Sequence, residues 1–217
     1  MKATIEKLQH FFTVGVMAIV RIDSKDDINP TIEALLEAGV DIIEISLVTP
    51  HAVEYIEKIH DEYGEQVMIG AGTVLDPPSA RSAILAGADF VVSPTVNPEV
   101  IRLTKRYGKL SFAGGFTPTE CLLAYDSGSD AVKLFPAMPA GPSYLKAVNA
   151  PMKQIPLVAV GGVTADNLAD WFKAGAKGVA GASNLVNPEF VQAGQFKKIT
   201  ETAEKWLKIA KEAREIS

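Results

Sequence analysis

The fold class is decided by the stretch Ile32-Glu33-Ala34-Leu35-Leu36-Glu37-Ala38-Gly39-Val40-Asp41-Ile42-Ile43-Glu44-Ile45-Ser46-Leu47. Its first half, residues 32–38, has the apolar spacing of an amphipathic helix. Its last part, residues 41–47, is a short apolar run rich in β-branched residues, which is typical of a strand buried on both faces. Gly39 supplies the left-handed conformation in which helices commonly end. The stretch therefore predicts one helix-to-strand connection.

The same connection recurs along the chain, in Leu85-Ala86-Gly87-Ala88-Asp89 and in Lys173-Ala174-Gly175-Ala176-Lys177. Short apolar segments alternate with helical ones and lie near residues 15–22, 41–47, 66–73, 90–94, 110–114, 131–136, 156–161 and 178–182. Strands that alternate with helices form a parallel sheet, and eight of them close a barrel. We therefore predict an α/β fold, a single (β/α)8 TIM barrel over residues 1–217. An extra N-terminal helix is expected near residues 3–12 and a long last helix near 194–215.

An open, doubly wound sheet is the alternative architecture. Such sheets commonly bind dinucleotides through a G-x-G-x-x-G turn. The nearest match, Gly70-Ala71-Gly72-Thr73-Val74-Leu75, has leucine in the place of the third glycine. Dinucleotide binding is therefore disfavoured.

The composition narrows the class of protein further. The chain has 217 residues, 47% of them hydrophobic, which suits one domain with a substantial core. Its net charge is -5, and no dense run of Lys and Arg suggests a nucleic-acid partner. No apolar run reaches membrane-spanning length, and the N-terminus is amphipathic, unlike a signal sequence. With Cys121 as the one cysteine, we expect a cytoplasmic protein with neither nucleic-acid nor membrane partners.

The sequence contains no motif typical of a metal site or of a serine hydrolase. The three histidines, His10, His51 and His60, are scattered without ligand spacing and are expected at the surface. No G-x-S-x-G segment occurs, so a serine nucleophile has no starting point. We therefore expect no metal and no cofactor.

Two charges stand inside apolar strands. Lys133 lies in Ala131-Val132-Lys133-Leu134-Phe135-Pro136, and Glu44 lies at the centre of the second predicted strand. Burial favours the neutral form of an amine, and neutral amines attack carbonyl carbons to form Schiff bases. A nearby carboxylate can move the protons that this chemistry requires. The alternatives are a lysine that reaches water at a strand end and an ion pair with a purely structural role.

Strand alternation predicts where these side chains point. If Ile43, Ile45, Val132 and Leu134 face the helices, then Glu44, Lys133 and Phe135 face the interior of the barrel. The second and sixth strands are both even-numbered, so the two charged side chains can share one interior layer. A water molecule or a substrate could then bridge them.

The ends of four strands suit an anionic ligand. Gly161 and Gly162 follow the seventh strand and Ser183 follows the eighth, where barrels commonly bind phosphate through backbone N–H groups. Thr164 is expected to cap the helix that follows. Arg21 after the first strand and Thr73 after the third could hold a carboxylate. The alternative is that the glycines only form tight turns and that Arg21 and Thr73 are ordinary rim residues.

The chain resembles the class I aldolases of 2-keto-3-deoxy-6-phosphogluconate (KDPG) and 4-hydroxy-2-oxoglutarate (KHG). The segments that carry the resemblance are Ile19-Val20-Arg21, Ile43-Glu44-Ile45, Ile69-Gly70-Ala71-Gly72-Thr73-Val74, Val92-Ser93-Pro94, Thr117-Pro118-Thr119-Glu120, Lys133-Leu134-Phe135-Pro136, Gly141-Pro142, Tyr144-Leu145-Lys146-Ala147 and Val160-Gly161-Gly162-Val163. The resemblance implies a barrel that assembles as a homotrimer and uses no metal.

The resemblance also implies roles for individual residues. Lys133 would form the Schiff base and Glu44 would act as acid and base. Arg21 and Thr73 would lie near the pyruvyl carboxylate, Pro94 and Phe135 would form apolar walls, and Gly161, Gly162 and Ser183 would hold a distal phosphate. The chain departs from the family pattern at Val48, where many members have arginine, at Ala113, where proline is expected, and at Asn184, where tryptophan is usual.

The reaction that these roles imply is cleavage of a small keto acid to pyruvate and an aldehyde. The substrate would be a 2-keto-3-deoxy-6-phospho sugar acid of the KDPG type, giving glyceraldehyde 3-phosphate, or 4-hydroxy-2-oxoglutarate, giving glyoxylate. The galactonate epimer of the sugar acid is an alternative substrate. Other readings are a phosphate-binding barrel of the isomerase or synthase type and a non-catalytic barrel that only binds sugar phosphates.

Overall fold

The structure is a computed structural model that describes residues 2–22 and 24–215. The predicted domain range, 1–217, includes Met1, Asp23, Ile216 and Ser217, which lie outside the described residues. Among the described residues, no helix combines the length and the apolar character needed to cross a lipid bilayer.

Eight parallel strands close into a barrel in the order of the sequence. Their bounds are β1 Val16–Val20, β2 Ile42–Ser46, β3 Met68–Gly72, β4 Phe90–Val92, β5 Leu110–Gly115, β6 Ala131–Leu134, β7 Leu157–Val160 and β8 Gly178–Gly181. The predicted (β/α)8 barrel is therefore confirmed. Seven of the eight strands are shorter than predicted, and β5 extends one residue further than predicted.

The helices surround the barrel and alternate with the strands. Their bounds are α1 Lys2–Val14, α2 Ile28–Ala38, α3 Ala52–Tyr63, α4 Pro77–Leu85, α5 Pro98–Arg106, α6 Pro118–Asp126, α7 Gly141–Asn149, α8 Leu168–Lys173, α9 Pro188–Gln192 and α10 Phe196–Glu215. The extra N-terminal helix and the long last helix are both present. Gly39, Gly87 and Gly175 have φ angles of 91°, 101° and 104°, so each adopts the left-handed conformation predicted for it.

Alternation along the strands separates two apolar layers. Ile43, Ile45, Val132 and Leu134 belong to the large cluster that also contains buried residues of the surrounding helices. A smaller cluster fills the inside of the barrel with residues of opposite parity, and Phe135 packs against it. This separation agrees with the predicted alternation of β2 and β6.

Helix α1 closes the N-terminal end of the barrel. Phe11 is fully buried and packs on Phe112 of β5, with 5.0 Å between the ring centroids. The guanidinium of Arg214, from α10, donates hydrogen bonds of 2.6–3.0 Å to the carbonyl oxygens of Phe12, Thr13 and Val14, where α1 ends. With one end closed in this way, the other end of the barrel is left to carry a site.

Candidate active site

A cavity of about 420 Å³ opens at the carboxyl ends of the strands. It is lined by eight of the nine residues predicted for the site, namely Arg21, Thr73, Pro94, Lys133, Phe135, Gly161, Gly162 and Ser183. The ninth, Glu44, is not among the lining residues and lies behind the surface of the cavity. The eight lining residues come from six different strands or the loops that follow them, so only the closed barrel brings them together.

Lys133 is the third residue of β6 and is 6% exposed. Its neighbours in the sheet are Gly114 on β5 and Val158 on β7. Its ammonium Nζ lies 5.0 Å from the centroid of the Phe135 ring, two residues further along the same face. The side chain is therefore held inside the barrel at the floor of the cavity, and it does not extend along the outer surface to water.

Glu44 is the central residue of β2 and is 1% exposed. Burial raises the pKa of its carboxyl above the usual range, and the positive charges of Lys133 and Arg21 offset part of this rise. Its Oε2 atom is buried and has no hydrogen-bond partner among the described residues. A buried oxygen without a partner is costly, so this atom is available to a polar ligand that enters beside Lys133.

Two residues that the sequence analysis did not assign to the site define the surroundings of Glu44. Gly72 of β3 lies directly under the carboxylate, because a Cβ at this position would overlap the Oε1 and Cδ atoms of Glu44. Ser46, the register partner of Gly72, shares a hydrogen bond of 2.8 Å with the hydroxyl of Thr73. Ser46 has the same inward parity as Glu44, and this signal could have identified it.

Arg21 and Thr73 lie at one side of the cavity mouth. Arg21 follows β1, and its exposed guanidinium shares the cavity with Ile19, which has the same inward parity. Thr73 follows β3 with a φ angle of 58°, which is unusual for a β-branched residue. Val48, which is 64% exposed, lines the same part of the cavity. Where the resemblance leads one to expect an arginine, the cavity therefore has an apolar side chain.

Pro94 and Phe135 form apolar walls of the cavity. Both lie just beyond the ends of their strands, not within them as predicted. Gly114 of β5 allows the chain around Pro94 to approach closely, because a Cβ there would overlap the Pro94 carbonyl group.

The other side of the cavity consists of the loops after β7 and β8. Gly161 and Gly162 have φ angles of 93° and 83°, and they lie beside Ser183 and Asn184. One expectation for this region was wrong. Thr164 does not cap α8, since its N–H donates to Oδ1 of Asn167 at 2.9 Å, and Asn167 is the residue that precedes the helix. The helix begins at Leu168, three residues later than a cap at Thr164 would place it.

The reactive side chains outside the cavity have other surroundings. Cys121 is fully buried in α6, and burial raises the pKa of its thiol to about 11. The ring nitrogens of His10 and His51 contact Asp41 and Glu54 near the surface. Within the described ranges, no three His, Cys, Asp or Glu side chains form a group that could hold a metal ion.

Comparison with known proteins gives a consistent result. The family described as KDPG and KHG aldolase matches residues 8–202. The chain is 39% identical to 2-dehydro-3-deoxy-6-phosphogalactonate aldolase from Escherichia coli over 171 residues, which are 78% of this chain and 83% of the relative. It is 38% identical to 2-dehydro-3-deoxy-phosphogluconate aldolase from Pseudomonas aeruginosa over 157 residues, 72% of this chain and 71% of the relative.

A solved structure shares both fold and sequence with the chain. It is KDPG aldolase from Legionella pneumophila, with pyruvate captured at low pH as a covalent carbinolamine intermediate. The TM-score is 0.85 and the sequence identity is 26%, over 91% of this chain and 96% of that one.

Proposed function

The chain belongs to the KDPG and KHG aldolase family, and from this premise we propose that it cleaves a 2-keto-3-deoxy-6-phospho sugar acid through a Schiff base on Lys133. The products would be pyruvate and glyceraldehyde 3-phosphate. The observation that carries the proposal is a pair of buried charged residues, the Lys133 amine on β6 in the lining of the cavity and the Glu44 carboxyl, with a raised pKa, on β2 behind that lining. The other cavity residues would bind the two ends of the substrate.

The chemistry begins at the C2 carbonyl of the substrate. The Lys133 amine adds to C2 to give a carbinolamine, which loses water to form an iminium ion. Glu44, directly or through a water molecule, removes the proton of the C4 hydroxyl. The C3–C4 bond breaks, its electrons pass to the iminium to form an enamine, and the aldehyde leaves. Protonation at C3 and hydrolysis then release pyruvate and regenerate the amine.

Two features support this assignment of steps. The Legionella pneumophila relative was captured with pyruvate as a carbinolamine, which is the first covalent species in the scheme. In this chain, the unpartnered Oε2 atom of Glu44 is poised for a hydroxyl or a water molecule near the amine. A raised pKa makes this carboxylate a stronger proton acceptor, which suits a general base.

The cavity supports a substrate with an anion at each end. Arg21 and Thr73 would bind the carboxylate, and the backbone N–H groups near Gly161, Gly162 and Ser183 would bind the phosphate. The relatives from E. coli and P. aeruginosa act on galactonate and gluconate derivatives by name, and their identities to this chain, 39% and 38%, do not separate the two. Both sugar acids and 4-hydroxy-2-oxoglutarate therefore belong in the assay.

The Schiff base is tested by reduction with borohydride in the presence of pyruvate. The wild-type protein should gain the mass of a reduced pyruvate adduct, and peptide mapping should locate it on Lys133. Lys133→Met should abolish the adduct, because it removes the amine and keeps an apolar side chain of similar length. Lys146→Met, a change on the exposed face of α7, is the matched control and should leave labelling intact.

Cleavage is tested by the release of pyruvate from the three acids. A preference of at least tenfold in kcat/KM for one of them would identify the substrate. Labelling that survives in Lys133→Met would contradict the assignment of the nucleophile. A wild-type protein that binds the phosphorylated acids without releasing pyruvate would instead support a non-catalytic sugar-phosphate-binding barrel.

The remaining parts of the proposal concern the whole protein. We propose that residues 1–217 form one aldolase domain that works without cofactor or metal as a homotrimer in the cytoplasm, as expected for this family. Sedimentation analysis at micromolar concentration tests the assembly. Activity that is unchanged after treatment with a chelator tests the independence from metal.

A further inference from the structure

The loop after β7, residues 161–164, is anchored by side chains from two other parts of the chain. Nδ2 of Asn167 donates a hydrogen bond of 3.0 Å to the carbonyl oxygen of Gly162. Nδ2 of Asn184, in the loop after β8, donates a bond of 3.0 Å to the carbonyl oxygen of Val163. Two consecutive carbonyl groups are therefore bound by asparagine amides.

The bond from Asn167 determines the direction of a peptide plane. In a trans peptide the C=O and N–H groups point in opposite directions. Because the Gly162 carbonyl is directed to Asn167, the N–H of Val163 in the same peptide is directed away from Asn167. This N–H makes no hydrogen bond with another described residue, and Val163 lines the cavity. The bond thus leaves one N–H donor to face the cavity.

The hydrogen bond from Asn167 matters because the anchored peptide follows a glycine, which by itself allows the peptide to rotate. Gly162 has a positive φ angle of 83°, and because it has no Cβ, the peptide that follows it, between Gly162 and Val163, can turn over at little cost. A peptide turned over would present its carbonyl oxygen to the cavity and repel an anion there. Two further hydrogen bonds fix the Asn167 side chain, because its Oδ1 accepts the N–H of Thr164 at 2.9 Å and that of the Trp171 indole at 3.2 Å. A side chain fixed in this way opposes rotation of the peptide that it binds.

Asn184 connects the two halves of the anion site. It follows Ser183 directly, so its bond to Val163 ties the loop after β8 to the loop after β7. Its side chain makes only this one hydrogen bond among the described residues. Asn184 also lines the cavity, whereas Asn167 does not.

We propose that Asn167 and Asn184 are positioning residues for the distal phosphate of the substrate. Asn167 holds the Gly162 carbonyl away from the phosphate and so leaves the Val163 N–H directed to it, and Asn184 holds the Val163 carbonyl away and ties the two loops together. The inference rests on the proposed function in one respect, namely that the distal group of the substrate is a phosphate. It adds a reason for the asparagine at position 184, where the family usually has tryptophan.

The test measures phosphate recognition separately from imine chemistry. Asn167→Ala and Asn184→Ala should each raise the KM for the phosphorylated acid and the inhibition constant of inorganic phosphate roughly fivefold to tenfold, the effect of losing one neutral hydrogen bond. The rate of borohydride trapping with pyruvate should stay within twofold of wild type, because pyruvate has no distal group. This unchanged rate also shows that each variant is folded.

Asn187→Ala is the matched control. Asn187 lies three residues beyond Asn184, and its Oδ1 caps α9 by accepting the N–H of Glu189 at 2.8 Å. Among the described residues, no hydrogen bond joins its side chain to the loop after β7. Its removal should leave both phosphate constants unchanged. An equal rise in this control would show that general loosening of the segment is the cause and would overturn the proposal.

Three further outcomes distinguish a failure of the positioning role from a failure of the proposed function. An effect in Asn184→Ala without one in Asn167→Ala would show that Asn184 contacts the phosphate directly, and it would overturn the positioning role. A wild-type enzyme that cleaves the acid equally well with and without its phosphate would contradict the phosphate part of the proposed function. Retained preference for phosphate in wild type, with both alanine variants unchanged, would contradict this inference alone.

Discussion

The replacement Gly72→Ala tests the position of the catalytic carboxyl without changing Glu44 itself. The added methyl group would overlap the Oε1 and Cδ atoms of Glu44, and even Cγ would be 2.6 Å away, whereas ordinary van der Waals contact begins at 3.4 Å. The carboxylate must therefore move by about 1 Å or more, and a displacement of this size costs about 100-fold in rate. This loss corresponds to about 2.7 kcal/mol of transition-state stabilisation.

The cost in the free energy of unfolding should be of comparable size. An extra methyl group in a packed interior lowers the free energy of unfolding by about 1–3 kcal/mol. Gly72 does not have a positive φ angle, so the alanine backbone itself is unstrained. The variant should therefore fold and show a kcat/KM for pyruvate release about 100-fold below that of wild type.

A matched control and a double-mutant cycle make the result specific. Gly115→Ala adds the same methyl group to a strand, where its nearest neighbour would be the backbone nitrogen of Cys121 at 3.1 Å, so activity should fall less than threefold. If Gly72→Ala acts through Glu44, adding it to Glu44→Gln should cost little further activity. A kcat/KM within threefold of wild type for Gly72→Ala, or full additivity with Glu44→Gln, would refute the reasoning.

Three further predictions follow from single side chains. Glu44→Gln should raise the melting temperature at neutral and alkaline pH, because burial raises the pKa of this carboxyl, so that its ionised form destabilises the folded wild type. The gain in melting temperature should shrink as the pH falls toward the pKa of the carboxyl in the unfolded state. Thr73→Gly relieves the φ of 58° but loses the hydroxyl that bonds to Ser46, so the KM for the keto acid should rise about fivefold while the free energy of unfolding changes by less than about 1 kcal/mol. Arg214→Met should lower the free energy of unfolding by about 2 kcal/mol without changing kcat, because it loses the bonds to the end of α1 at the opposite end of the barrel.

Each of these has a contradicting result. Thermal unfolding of Glu44→Gln across a pH series would contradict the direction of the shift if the gain in melting temperature were largest in acid. An unchanged KM in Thr73→Gly would remove the hydroxyl from substrate binding. If urea unfolding gave Arg214→Met the same free energy of unfolding as wild type, the role of the guanidinium in holding α1 would be contradicted. If kcat of this variant fell in steady-state kinetics, the expectation that the two ends of the barrel act independently would be contradicted.

The sequence by itself determined the number and order of the strands and the side on which each charged residue lies. These properties are local, because the period of two along a strand assigns Glu44 and Lys133 to the same side as soon as their apolar neighbours are assigned to the other. The left-handed glycines are equally local, since the helix-ending segments around Gly39, Gly87 and Gly175 carry their own signal.

Only the tertiary structure decided what surrounds each of these residues. The placement of Gly72 under the Glu44 carboxylate depends on the register between β2 and β3, and the bond from Asn184 to Val163 depends on the approach of two loops 21 residues apart in sequence. Thr164 shows the same limit, because its motif predicts a helix cap, whereas in the structure its N–H donates to Asn167 and Asn167 is the residue that precedes the helix. Sequence patterns carry the direction of a side chain along its own element, but contacts between elements depend on distances that exist only once the barrel has closed.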